Sequence, residues 1–128
     1  MSQIIASVTL VVPDYDAGIA FYVDVLGFDL LEDTKLSETK RWVRVAPKDA
    51  QTALLLAQAD GIAQEAAIGK QTGGRVSFFL HTDDFERDHA AMIANGVTFH
   101  EAPRYEAYGT VAVFEDPFGN LWDLIEPK

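Results

Sequence analysis

Short apolar runs of period two, broken by two segments of period 3.6, organise the chain. The clearest pair is 110–114 (TVAVF) and 121–125 (LWDLI), which flank Asp116-Pro117-Phe118-Gly119-Asn120. Proline suits the second position of a tight turn and Gly-Asn tolerates positive φ, so the stretch predicts a hairpin with a turn of about five residues. Alternation puts Leu121, Asp123 and Ile125 on one face of the second strand and Trp122, Leu124 and Glu126 on the other. Asp123 is thereby a carboxylate set between two aliphatic side chains.

The same rules read the rest of the chain. Residues 4–12 predict a buried strand, ended by Pro13 and followed by a helix that Asp14 or Asp16 can cap. Tyr15, Ile19, Tyr22 and Leu26 form one stripe along that helix, and Gly27 suits its left-handed end. Strands follow at 28–31, 41–46 and 52–57, with a polar loop at 35–40 and a turn at 47–51. Residues 58–74 read as a connecting segment with a short helix inside 62–68. The pattern then restarts: a strand at 75–80, a helix from Asp83-Asp84 to about Asn95 closed by Gly96, a strand at 97–100, and the hairpin.

This restart is an internal repeat. An offset of 68 sets Ser7 against Arg75, Val43 and Val45 against Val111 and Val113, and Leu55 against Asp123; across the helices the offset is 69, with Asp14 against Asp83 and Gly27 against Gly96. Module one spans 1–57, the connecting segment 58–74 and module two 75–128 of one domain. Each module reads strand, helix, three strands, and neither alone covers both faces of its sheet, so the expected class is α+β with two paired βαβββ modules.

Composition narrows the function. A net charge of −10 repels phosphate backbones and anionic lipid, which excludes nucleic acid and membrane surfaces as expected partners. Without cysteine there is no disulfide, thiolate nucleophile or Cys-type zinc site. The N-terminus carries neither a basic region nor a long apolar segment, and no apolar run is long enough to span a bilayer, so a soluble cytoplasmic protein is expected.

With Asp16-Ala-Gly-Ile-Ala-Phe-Tyr22, Leu26-Gly27-Phe28 and Glu115-Asp-Pro-Phe-Gly-Asn-Leu-Trp-Asp-Leu-Ile-Glu126, the chain resembles the vicinal oxygen chelate superfamily of glyoxalase I, extradiol dioxygenases and bleomycin- and fosfomycin-resistance proteins. The resemblance implies a curved mixed sheet around a cavity, a homodimer, and four strand positions that hold a divalent metal in the family's metalloenzymes. Carried over, those positions are Ser7, Leu55, Arg75 and Asp123. Only Asp123 is a good ligand, since leucine is inert, arginine stays protonated and serine binds metals poorly; no divalent metal is expected.

In place of the metal, Arg75 and Asp123 are expected to face one another as an ion pair, beside Ser7 and Leu55. Trp42, Phe79 and Tyr108 are candidate walls for a flat or apolar ligand. The histidines His81, His89 and His100 lack metal-ligand spacing, and Asp83, Asp84, Glu86 and Asp88 read as a solvated first helical turn. The first functional reading is a metal-independent protein that binds a small organic molecule, of the drug-resistance or sequestration kind. The alternative is a lyase, isomerase or dioxygenase-type enzyme acting on a small organic acid or carbonyl compound, with Asp123 as general base and Arg75 stabilising an anion. A metal-dependent enzyme is the third.

Overall fold

A computed structural model describes residues 2–128 of the chain. They fall into two compact units, one ending at Ile68 and the other starting at Gly69. The architecture is mixed α+β. The first unit holds a four-stranded sheet and the second a five-stranded sheet.

In the first unit, β1 (Ser7–Val12) leads into helix α1 (Tyr15–Ile19), a π-helical segment (Ala20–Val25), and strands β2 (Asp29–Lys35), β3 (Arg41–Ala46) and β4 (Ala53–Gln58), with helix α2 (Ile62–Ala67) after them. The strand order is β1-β4-β3-β2, with β1 parallel to β4 and the other pairs antiparallel. Asp14 caps α1 by accepting from Ala17 N at 2.7 Å. β1 is shorter than residues 4–12 predict because its partner, β4, begins at Ala53; Ile4 and Ile5 are exposed. A Cβ on Gly18 would lie 2.9 Å from Leu56 Cδ1 and 3.4 Å from Val12 Cγ1, so the missing side chain lets α1 sit close on the sheet. That contact marks the helix-covered face, where Leu10, Val12 and Leu56 are buried.

In the second unit, β5 (Phe78–His81) leads into α3 (Phe85–Ala94), then β6 (Thr98–Phe99), β7 (Arg104–Glu106), β8 (Gly109–Glu115) and β9 (Leu121–Pro127). The order is β5-β9-β8-β6, and β7 also pairs with β8. β6 and β7 therefore act as two pieces of one edge strand, interrupted where Pro103 can donate no ladder hydrogen bond. Asp84, not Asp83, caps α3 by accepting from Arg87 N. Phe114 stacks on Trp122 under α3, and Glu126 Oε1 accepts from Phe85 N at 2.7 Å, so Trp122, Leu124 and Glu126 mark the helix-covered face. His89 stacks on Phe85 and meets Phe99, a packing role.

The register corrects the phase of the repeat. Val8 pairs with Leu54 and Phe78 with Trp122. The first strands are thus 70 positions apart (8 to 78) and the last strands 68 (54 to 122). Val45 pairs with Leu54 and Phe114 with Trp122, which sets the third strands 69 apart (45 to 114). Ser7 therefore corresponds to Ser77, not Arg75, and Val43 and Val45 correspond to Ala112 and Phe114, not Val111 and Val113; all four are fully buried. The cause is local. From the Asp14 cap to Gly27 is 13 positions, and from the Asp84 cap to Gly96 is 12. The first helix absorbs its extra residue as the π segment, where Leu26 N bonds Phe21 O at 2.8 Å.

Candidate functional site

Each sheet has a second face turned away from its helix. On β9 that face carries Leu121, Asp123 and Ile125, as alternation predicts. Across the ladder Asp123 pairs with Val113 on β8 and Phe79 on β5, and Ile125 pairs with Val111, which pairs in turn with Arg104 on β7. Residues paired in register share a face. Asp123, Phe79 and Arg104 therefore lie together on the open face of the second sheet, and Phe79 leaves 62% of its surface exposed.

Asp123 is half-buried. Its Oδ1 is buried and makes no hydrogen bond. Burial pushes the carboxyl pKa up, the nearby Arg104 guanidinium pulls it back down, and Glu101 adds an upward push. Arg104 is already committed: Nε donates to both Glu101 oxygens at 2.9 and 3.0 Å and Nη1 to Glu106 at 3.2 Å, with Tyr108 bonded to it as well. Those partners hold the guanidinium pKa above its ordinary value, with Glu101 the main cause. On the same face His100 Nε2 lies 2.8 Å from Glu115 Oε1.

The first sheet builds its open face differently. Leu55 pairs with Arg44 and Thr9, and Arg44 pairs with Glu32. Arg44 donates to Ser7 Oγ at 3.0 Å, to Glu32 Oε1 at 2.7 Å and to Ala6 O at 3.5 Å. At the ends of β3 and β4, Trp42, Leu55, Tyr15, Gln58 and Gln64 line a cavity of about 280 Å³. Trp42 and Leu55 thus meet around one cavity.

The expected pair of Arg75 with Asp123 does not form. Arg75 is exposed and lies outside β5, which starts only at Phe78 because β9 starts at Leu121. No ion pair joins it to Asp123 among the described residues, and the charge that Asp123 feels comes from Arg104. Sequence reading missed Arg104, Glu101 and Arg44. Arg104-Tyr-Glu before a two-residue turn at Ala107-Tyr108 carried an alternation signal for a short edge strand, and Arg44 alternates with Val43 and Val45. Tyr108 sits in that turn and Ser7 holds Arg44.

The donor set does not fit a divalent metal. Asp123 is the only carboxylate among the carried-over positions, Leu55 has no lone pair, and correcting Arg75 to Ser77 adds only another hydroxyl. Among the described residues no three His, Cys, Asp or Glu side chains converge as ligands.

These two sheets and their repeat define a class: a small α+β protein of two βαβββ-type modules with an open sheet face on each. Residues 4–124 match the sequence model of the Glyoxalase/Bleomycin resistance protein/Dioxygenase superfamily, and the chain belongs to that superfamily. An uncharacterised protein of Shewanella frigidimarina (strain NCIMB 400) is 52% identical over 128 residues, covering 98% of this chain and 95% of that one. Among solved structures, UcmS2 superimposes with a TM-score of 0.86 at 30% identity, covering 98% of this chain and 99% of that one. TnmS3, an antibiotic binding protein from Streptomyces sp. CB03234, superimposes with a TM-score of 0.80 at 31% identity over 99% of this chain and 98% of its own. No helix among the described residues is long and apolar enough to cross a membrane.

Proposed function

We propose that the chain is a metal-independent small-molecule-binding protein of the resistance or sequestration kind, with Asp123 and Phe79 on its binding surface. The observation that carries this reading is the buried, unbonded Oδ1 of Asp123 beside the exposed ring of Phe79. An acceptor taken out of water without a partner is costly, and an exposed aromatic ring next to it offers a platform for a flat molecule. A ligand that covers Phe79 and donates to the half-exposed carboxylate of Asp123 engages both. The likeness to an antibiotic binding protein supports the same reading. On the first unit's own open face Ser7, Leu55 and Trp42 are contact candidates, Tyr108 is a further one on the second unit, and Arg75 is the weakest of the set because it lies outside β5.

The raised pKa of Asp123 supports a second reading, a superfamily enzyme that uses this carboxylate as general base. Native mass spectrometry of the purified protein, followed by incubation of any captured molecule and analysis for turnover, tests both. A captured aromatic molecule returned unchanged fits binding, and a converted one fits catalysis. Retention that is unaffected by both Asp123→Asn and Phe79→Ala refutes the placement of the surface. We further take the working form to be a cytoplasmic homodimer, which sedimentation equilibrium at micromolar concentration tests.

A further inference from the structure

Resting on the binding reading above, we infer that the open face of the second sheet selects an aromatic molecule bearing an amine or other N–H donor, and discriminates against organic anions. The charges on that face decide this. Among the described residues Arg104 is the one arginine on the strands of this sheet, and its Nε and Nη1 are occupied by the carboxylates of Glu101 and Glu106. These two acids already offset the charge that an incoming carboxylate or phosphate would seek there. It would also meet Asp123 and Glu115 on the same face, where the histidines are His100, bound to Glu115, and His81, paired with Ile125. The family's positions, read from sequence, set the Arg75 guanidinium against Asp123, where it could meet an acid; the register removes it, since Arg75 lies outside β5.

The recognition atom runs the same way. Asp123 Oδ1 is an acceptor without a donor. A carboxylate oxygen accepts from N–H or O–H groups and repels anionic oxygens. An ammonium or aromatic amine supplies the donor and also compensates the charge, making the stronger charge-assisted bond. Phe79, paired with Asp123 in the ladder and largely exposed, presents a ring on which an aromatic cation stacks favourably. The sister module shows the contrast: its equivalent of Asp123 is Leu55, and its arginine, Arg44, is held by Ser7 and Glu32.

Two fluorescent probes sharing one ring system, amino-acridine and acridine-carboxylic acid, test the inference by titration at neutral pH. The amine should bind about tenfold tighter or more, as a charge-assisted hydrogen bond implies. Asp123→Asn should remove most of that preference, and Asp123→Leu, which installs the sister module's residue, should do so if the asparagine variant does not fold. Glu101→Gln, which removes one of the two carboxylate charges on Arg104, should strengthen binding of the carboxylate probe by about tenfold. Equal or tighter binding of the carboxylate to the parent protein overturns the inference while leaving the binding reading intact. An amine preference that survives both Asp123 variants also overturns it. If neither probe binds the parent, the aromatic-binding reading fails, and this inference fails with it.

Discussion

Asp116 tests whether the turn that carries the β8–β9 register is held by one carboxylate. Its Oδ1 accepts from Phe118 N at 2.9 Å and Asn120 N at 2.8 Å, and its Oδ2 accepts from Asn120 Nδ2 at 2.7 Å. Asp116 is 2% exposed and Asn120 1%, so water cannot replace these bonds. Asp116→Ala strands the main-chain and side-chain N–H groups of Asn120, at about 1–3 kcal/mol each, with a smaller loss at Phe118; the expected cost is about 3–6 kcal/mol. Asp116→Asn behaves differently. Its amide oxygen keeps both backbone donors, but its NH2 group meets the NH2 of Asn120. Asn120 Oδ1 has no hydrogen-bond partner, so a half-turn of that amide converts the clash into an N–H···O bond. The asparagine variant should therefore lose less than alanine, about 1–3 kcal/mol, since the bond becomes neutral and the turned amide leaves its own NH2 group without an acceptor. Urea unfolding followed by the fluorescence of Trp122, which stacks on Phe114, measures both. An alanine variant within about 1 kcal/mol of the parent, or an asparagine variant as unstable as alanine, refutes the account.

Three further outcomes are expected. Gly69→Ala should destabilise by about 2–4 kcal/mol, because its Cβ would fall 2.1 Å from Phe118 O at a φ of +72°, whereas Gly73→Ala, with open space at φ +67°, should cost only about 1 kcal/mol; thermal melts of the two variants compare them. Asp123→Asn should melt above the parent at neutral pH, and the gain should shrink as pH falls toward 3.8, the ordinary aspartate value. The folded carboxyl has a raised pKa, so the folded state holds its proton more tightly, and the penalty appears as pH rises through the folded value; a gain that grows on acidification contradicts this. Elemental analysis should find no stoichiometric divalent ion, and chelator should leave the melting temperature unchanged, since a bound ion would raise it by mass action.

Period and turn chemistry made most of the fold legible. β3 begins and ends where the alternation Arg41-Trp-Val-Arg-Val-Ala46 begins and ends, and the five-residue turn at 116–120 lies between Glu115 and Leu121, the last pair of the β8–β9 ladder. Strand starts were less legible because a strand lasts only as long as its partner. Apolar character runs from Ile4, but β1 waits for Ala53, and β5 begins three residues after Arg75. β7 escaped notice because an edge strand of three residues, Arg104–Glu106, needs little apolar content to pair with β8.

The site was legible where it depended on one strand and illegible where it depended on two. Asp123 follows from alternation within β9 alone, and the structure keeps it on the face opposite Trp122. Its partner depends on the phase between strands, which local periodicity does not contain. The π segment adds one position to the first helix, and the β3–β4 connection has six residues, 47–52, between Ala46 and Ala53 where the β8–β9 turn has five. Each difference moves the alignment of the modules by one. Together they move it by two, and an even shift preserves the face while changing the residue: Ser77 replaces Arg75 opposite Leu121, with no break in the inward-outward pattern to betray it. The consequence is chemical. A site expected to pair Arg75 with Asp123 instead sets the Asp123 carboxylate beside the exposed ring of Phe79, with Arg104 bound by Glu101 and Glu106.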